Sequence, residues 1–226
     1  MKTGIESRAL PIRVSNMRAE ARGDKKIITG YAAVFYREGD PATQYELFPG
    51  LVERIFPGAF DAAIREDDVR GLANHMVESL LGRRKPGDAA STMRLSVDAT
   101  GLIYEIDVPD TEIGRSVYES IRRGDMDGSS FSFATDVSWG AKRGDVTWRE
   151  VDGTTIRQIH SLELFDVGPV TFPAYKGATA GVRSNTSSAA VLKERDAWLA
   201  AQRSAEIDED ADDLLLAAEI ASPLVR

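Results

Sequence analysis

The feature that most limits the fold is a succession of short segments in which apolar and polar residues alternate, broken once by a helical pattern. In MRLSVDATGLIYEIDVP, Met93 to Pro109, Leu95 and Val97, then Leu102, Tyr104, Ile106 and Val108, take every second position around Ala99-Thr100-Gly101. Successive side chains of a strand point to opposite faces, so this stretch predicts a hairpin with one face buried. The next residues, DTEIGRSVYESIRRGD, change period. Ile113, Val117 and Ile121 share one helical face, Asp110 or Thr111 can cap the start, and Gly124 can end it.

The other segments extend the same reading. IITGYAAVFY (Ile27 to Tyr36) is β-branched and aromatic, with a glycine that suggests a bulge. YELFPGLVERIFPGAF reads as strand, turn, strand and helix entry, FDAAIREDD as a short helix, and VRGLANHM as a strand. LLGRRKPGD leads into a Pro-Gly turn. GSSFSF, beginning at Gly128, alternates: Ser130 and Ser132 share a face with Gly128, and Phe131 and Phe133 take the other. The phenylalanines would anchor the strand and leave the serine face open. ATDVSW, DVTWREVDG and TTIRQIHSLELFDVGPVTFPAY predict further strands, the last divided at Gly168-Pro169. Strand-rich order with one clear helix predicts an α+β domain built on a curved sheet or barrel.

Three regions follow: an extension over 1–26, a domain over 27–185 and an acidic helical tail over 186–226. KGATAGVRSNTSSAA, after Tyr175, is small and polar and reads as a linker. The tail holds nine acids and four bases, so most of the chain's net charge of −8 sits there. It reads as a short helix, an acidic break at Asp208 to Asp213 and a second, apolar helix.

Composition narrows the chemistry. With no cysteine, disulfides and a thiol nucleophile are excluded. Two histidines, and acids without ligand spacing, argue against a metal site. The acidic balance argues against nucleic-acid binding through the overall field. No apolar run approaches the roughly 20 residues that span a bilayer, and the first residues lack the apolar stretch of a secretory signal. The glycine patterns of nucleotide loops and of the α/β-hydrolase elbow are absent.

A serine hydroxyl is a weak nucleophile until a base takes its proton. Here any imidazole base must be His75 or His160. The base in turn needs an acceptor on its other nitrogen. Asp166 or Glu163 can supply a carboxylate, and His160 could itself be the third member. The plain alternative is a polar strand face and packed histidines. Arg83 and Arg84 could stabilise an oxyanion, although a charged pair before a turn is usually just solvated.

GYAAVFY, RIFPGAFDAAI, NHMVESLLGR, MDGSSFSF and LFDVGPVTFPAY occur in the order seen in tailed-bacteriophage prohead proteases, the capsid maturation serine proteases. No single motif is specific, but the ordered set resembles that family from about Ile27 to Tyr175. The resemblance implies that His75, in the Asn-His motif, is the general base and that Ser130, in Ser-Phe-x-Phe, is the nucleophile. Ser129 stands where the family usually has a hydrophobic residue, so Ser129 and Ser130 compete for the register. Alternation favours Ser130. The family's acidic residue before Val-Ser falls on Asp166, followed here by Val167-Gly168.

The family is similar in fold to the herpesvirus assembly proteases, whose third member is a histidine, and this keeps His160 as an alternative to Asp166. The implied fold is a β-barrel-like antiparallel sheet with flanking helices. The implied task is cleavage of scaffold, or of the scaffold-like segment of the major capsid protein, with self-cleavage, inside the assembling prohead in the host cytoplasm. No cofactor, membrane or direct nucleic-acid contact is implied, and an oligomer inside the prohead is expected. A catalytically silent assembly protein of the same fold is one rival reading, and a generic β-rich binding module whose functional part is the acidic tail is another.

Overall fold

A computed structural model describes residues 4–173 and 189–204. The chain divides into two units, 1–184 and 185–226. The second contributes one described helix over 189–204. The expected linker falls mostly, and the acidic break and apolar helix entirely, outside the described residues.

The first unit is mixed α+β and mostly strand. Among the described residues, thirteen strands form three sheets. One sheet orders β1 (Glu6–Pro11), β10 (Gly128–Ala134), β13 (Glu163–Val170), β6 (Val69–Leu72) and β7 (Leu80–Arg84). A second orders β11 (Asp145–Val151), β12 (Thr154–Ser161), β5 (Leu51–Ile55) and β4 (Tyr45–Phe48). The third orders β2 (Arg18–Arg22), β3 (Lys25–Val34), β9 (Gly101–Asp107) and β8 (Met93–Val97). Most pairs are antiparallel, but β12 pairs β5 and β13 pairs β6 in parallel.

The expected barrel is not formed, because each sheet keeps two edges and no ladder joins them end to end. The three sheets instead share one core. Phe131 and Phe133 of β10, Leu164 and Val167 of β13, Ile106 of β9, Met93 of β8, Ile55 of β5 and Phe60 all pack into it. Close approach is bought with small residues: a Cβ on Gly71 would lie 2.9 Å from Ile106 Cδ1.

The predicted hairpin is β8–β9, and the bulge in β3 falls between Tyr31 and Ala33. Helix α3 (Glu112–Arg123) follows two shorter ones, α1 (Ile12–Ser15) and α2 (Asp61–Glu66). Thr111 caps α3 by accepting from Gly114 N, and Gly124 ends it with φ 81°. Val117 and Ile121 are buried, but Ile113, one turn earlier, stands exposed.

Four more local expectations are corrected. VRGLANHM is a strand only over Val69–Leu72, and Asn74 and His75 lie in a turn. ATDVSW is not a strand: β10 ends at Ala134, and Asp136 then caps a 3₁₀ turn over Val137–Trp139 by accepting from Ser138 N. That side chain competes with the ladder for the backbone. The last long segment breaks at buried Leu162, where the chain leaves the β11–β12 sheet for the β10–β13 sheet, and Gly168-Pro169 lies inside β13. The opening residues are also structured. β1 lies along β10, with Ser7 opposite Ser132 and Ala9 opposite Ser130. Its sequence, ESRALP, has too few apolar residues to announce a strand: of its two buried side chains, Leu10 is apolar but Glu6 is held by charged partners, and Ser7 is exposed.

Candidate active site

The site is built on three neighbouring strands, β1, β10 and β13, with a turn folded over them. Alternation on β10 sends Ser129, Phe131 and Phe133 to the core side. Phe131 and Phe133 stack with centroids 5.1 Å apart, and Phe60 meets Phe131 edge-on at 5.7 Å. Ser129 Oγ sits 2.8 Å from the Tyr104 hydroxyl, whose pKa is raised by burial. Ser130 and Ser132 face the other way. That face is not open as expected: both serines are buried, because the turn after β6 covers them.

This turn carries Asn74 and His75, both in left-handed conformation with φ 53° and 58°. Two consecutive residues there cost about 1–2 kcal/mol each unless their surroundings impose the geometry. Asn74 supplies the restraint. Its backbone N–H donates to Pro169 O at 2.9 Å, its Oδ1 accepts from Thr171 N at 2.9 Å, and its Nδ2 donates to Thr171 Oγ1 at 3.2 Å. The asparagine beside the histidine thus pins the turn to the end of β13.

So held, His75 reaches both neighbouring strands. Its Nε2 lies 2.6 Å from Ser130 Oγ, and its Nδ1 lies 2.5 Å from Asp166 Oδ1. Asp166 is on β13 and pairs with Ser132 across the ladder. The imidazole keeps 27% of its side-chain surface exposed, against 11% for Asp166. Ser130 Oγ also lies 2.7 Å from the backbone carbonyl of Arg8, to which it can donate. Gly168 stands opposite Ser130. A Cβ there would lie 2.1 Å from Leu72 O, so glycine lets β6 approach β13 just before the turn.

Ser130, His75 and Asp166 are therefore brought together. The other candidates lie elsewhere. His160 is on β12, in a different sheet, with Nε2 2.9 Å from Thr147 Oγ1 and its ring 5.0 Å from that of Phe56. Glu163 accepts from Lys142 N at 2.8 Å. Arg83 forks onto Asp68, with Nε 2.8 Å from Oδ1, and its hydrogen bond holds the Asp68 carboxyl down at about 2. Arg84 donates to Asp67 O at 3.2 Å.

Sequence reasoning missed the contribution of β1. It also missed the apolar rim. Met76, Val77 and Leu80, just after His75, and Phe172, beside Thr171, are all exposed. The run of apolar residues around NHMVESLL was visible, but a strand-rich fold offers no sequence signal for which of them stay outside.

A hydroxyl, an imidazole and a carboxylate in hydrogen-bonded series make the arrangement of a serine hydrolase. Among the described residues no cluster of acids and histidines could hold a metal ion, and no helix is long and apolar enough to cross a membrane. Residues 13–193 match the family described as caudovirus prohead serine protease, and the chain belongs to that family. Membership supports a serine protease with a role in capsid maturation, implies association with capsid proteins, and implies a place within the assembling prohead of a tailed phage in its host cell. No curated protein and no solved structure matches the chain.

Proposed function

We propose that this protein is an active serine endopeptidase that cleaves scaffold, or the scaffold-like segment of the major capsid protein, and itself, during prohead maturation. Ser130 is the nucleophile, His75 the general base and Asp166 the third member. The observation that carries this reading is the unbroken series from Ser130 Oγ through the two ring nitrogens of His75 to Asp166 Oδ1, at 2.6 and 2.5 Å. The likeness in fold to herpesvirus assembly proteases rests on the family resemblance alone, and in this chain the carboxylate, not His160, stands beside the base.

The working proton arrangement follows from the ring. A neutral imidazole carries one N–H. Asp166 beside Nδ1 favours the tautomer with that proton on Nδ1, which leaves Nε2 free to accept from Ser130. Nε2 takes the hydroxyl proton as Oγ attacks the peptide carbonyl. The imidazolium then gives it to the leaving amine, an acyl-enzyme forms on Ser130, and water releases it by the same steps in reverse. Asp166 stabilises the imidazolium throughout. The exposed apolar rim of Met76, Val77, Leu80 and Phe172 suits the flanks of an extended peptide with apolar side chains.

A silent assembly protein of the same fold is favoured by one specific observation. If the Ser130 proton goes to Arg8 O and Nε2 carries the ring proton, the hydroxyl is idle. Fluorophosphonate labelling of the full chain, co-expressed with its scaffold and capsid protein, separates the two. The active reading expects label on Ser130 that His75→Ala prevents, and cleavage that falls about a millionfold in Ser130→Ala but persists in Ser129→Ala. Cleavage at the normal rate by Ser130→Ala would discard Ser130 as nucleophile. No label and no cleavage in the assembled shell would favour the silent reading.

A further inference from the structure

The triad leaves one hydroxyl beside the base without a role. Ser132 Oγ lies 2.9 Å from His75 Nδ1, the same nitrogen that faces Asp166, and 2.9 Å from Ser7 Oγ. The three residues form one rung across the sheet, since Ser7 on β1 pairs with Ser132 on β10, and Ser132 pairs with Asp166 on β13. All three side chains project to the side on which the His75 turn sits. Ser132 is nearly closed off from water, at 3% exposure. A buried hydroxyl needs partners, and its partners here are the base and a second serine.

Resting on the active reading above, we propose that Ser132, steadied by Ser7, is a positioning residue. It gives the Nδ1–H of His75 a second acceptor and so holds the ring over Ser130 in the tautomer that lets Nε2 take a proton. The proton count allows this in one consistent way. With the ring proton on Nδ1, that N–H is shared between Asp166 Oδ1 and Ser132 Oγ, and the Ser132 hydroxyl donates onward to Ser7 Oγ. When His75 takes the Ser130 proton, Nδ1–H becomes part of a cation, and both acceptors are already in place. The reverse arrangement, with Ser132 donating to Nδ1, would put the ring proton on Nε2 and send the Ser130 proton to Arg8 O. It would also turn an unprotonated nitrogen toward the Asp166 carboxylate at 2.5 Å, and two acceptors repel there. Asp166 therefore selects the tautomer, and Ser132 fixes the ring about the axis that one hydrogen bond leaves free.

The site is incomplete without β1, since Ser7 lies on it. The family match begins at residue 13, two residues beyond the end of that strand. The opening segment of the chain is thus part of the machinery that orients the base.

The test is kinetic and spectroscopic on the full-length protein. Ser132→Ala should lower kcat about tenfold with KM within twofold, which corresponds to the loss of one hydrogen bond to a group that becomes charged. Ser7→Ala should lower kcat two- to threefold, again at constant KM. The ¹⁵N imidazole spectrum of a Ser130→Ala protein should show His75 with its proton on Nδ1, and adding Ser132→Ala should keep that tautomer, which Asp166 selects, but broaden the His75 signals as the ring loses its second restraint. With only two histidines in the chain, His160→Gln assigns the signals. Unchanged kcat and an unchanged spectrum in Ser132→Ala, with Ser130→Ala inactive, overturn the proposal while the active reading stands. If Ser130→Ala still cleaves, both fall. Should Ser132→Ala not fold, Ser7→Ala decides: a kcat loss at constant KM supports the proposal, and no change overturns it.

Discussion

Two polar networks meet along β1, and they are built for opposite ends. On one side, Ser7 and the Arg8 carbonyl touch the Ser130–His75–Asp166 cluster. On the other, the Glu6 and Arg8 side chains enter a buried ionic cluster with Glu53 and Arg157. Arg157 reaches Glu6 at 2.9 and 3.0 Å, Glu53 at 2.6 Å and Thr135 Oγ1 at 2.7 Å. Arg8 adds forked contacts to Glu53 at 2.6 and 2.8 Å. In the ionic cluster two carboxylates face two guanidiniums, and little is left to react. In the Ser130–His75–Asp166 cluster a single carboxylate faces an imidazole that, in the proposed mechanism, gains and loses a proton, and that ring stays part-exposed. Paired buried charges mark the structural network; a part-exposed imidazole between a hydroxyl and a carboxylate marks the other.

After Ser130→Ala, the largest expected effect tests the chemical side alone. Asp166→Asn keeps the shape but can donate to Nδ1, which places the ring proton on the wrong nitrogen. Cleavage should fall about 10⁴-fold, with the thermal midpoint of the variant unmoved. A smaller loss, below about tenfold, would mean that Asp166 is not the third member.

The structural side breaks next. Arg157→Met leaves Glu6 and Glu53 buried with Arg8 as their remaining cation, and should cost about 3–5 kcal/mol in urea unfolding. Because β1 carries Ser7 and the Arg8 carbonyl, activity should fall with it. The same cluster sets an acid limit. Burial would raise the Glu53 carboxyl, but the charges of Arg8 and Arg157 outweigh it and hold it below the ordinary range. Its contribution is therefore complete above the ordinary carboxylate pKa and fades as pH falls through the lowered one. Unfolding on acidification that is unchanged by Glu53→Gln would show that the cluster does not set this limit.

The smallest effect lies where the two sides share a backbone. Gly168→Ala drives a Cβ against Leu72 O, three residues before His75. It should cost about 1–3 kcal/mol and lower kcat more than it raises KM, since the displaced turn carries the proposed base. A variant as stable and active as the parent would show that β6 and β13 yield at this contact.

Much of this was legible in the chain. Period-two alternation located β8, β9 and β10, Thr111 and Gly124 bounded α3, and the ordered motifs drew attention to Ser130, His75 and Asp166. The misses have physical causes. β1 was hidden because Glu6 is buried by opposite charge and Ser7 is exposed, so Leu10 alone leaves no apolar pattern. ATDVSW has strand-like residues, but the Asp136 side chain caps a turn there. The break in the last segment lies at Leu162 because the chain changes sheets, which no local signal records.

By itself the sequence determined the strand-rich class, the helix over Glu112–Arg123 and the short roll of residues able to do acid–base and nucleophilic work, since these follow from period, capping and side-chain chemistry. Only the tertiary structure decided that the sheets stay open, that Asp166 rather than His160 stands beside His75, and that Ser132 and Ser7 complete the rung. Those are contacts between strands up to 125 positions apart, fixed by which ladders form and in what register, and register is a property of the packed sheet as a whole.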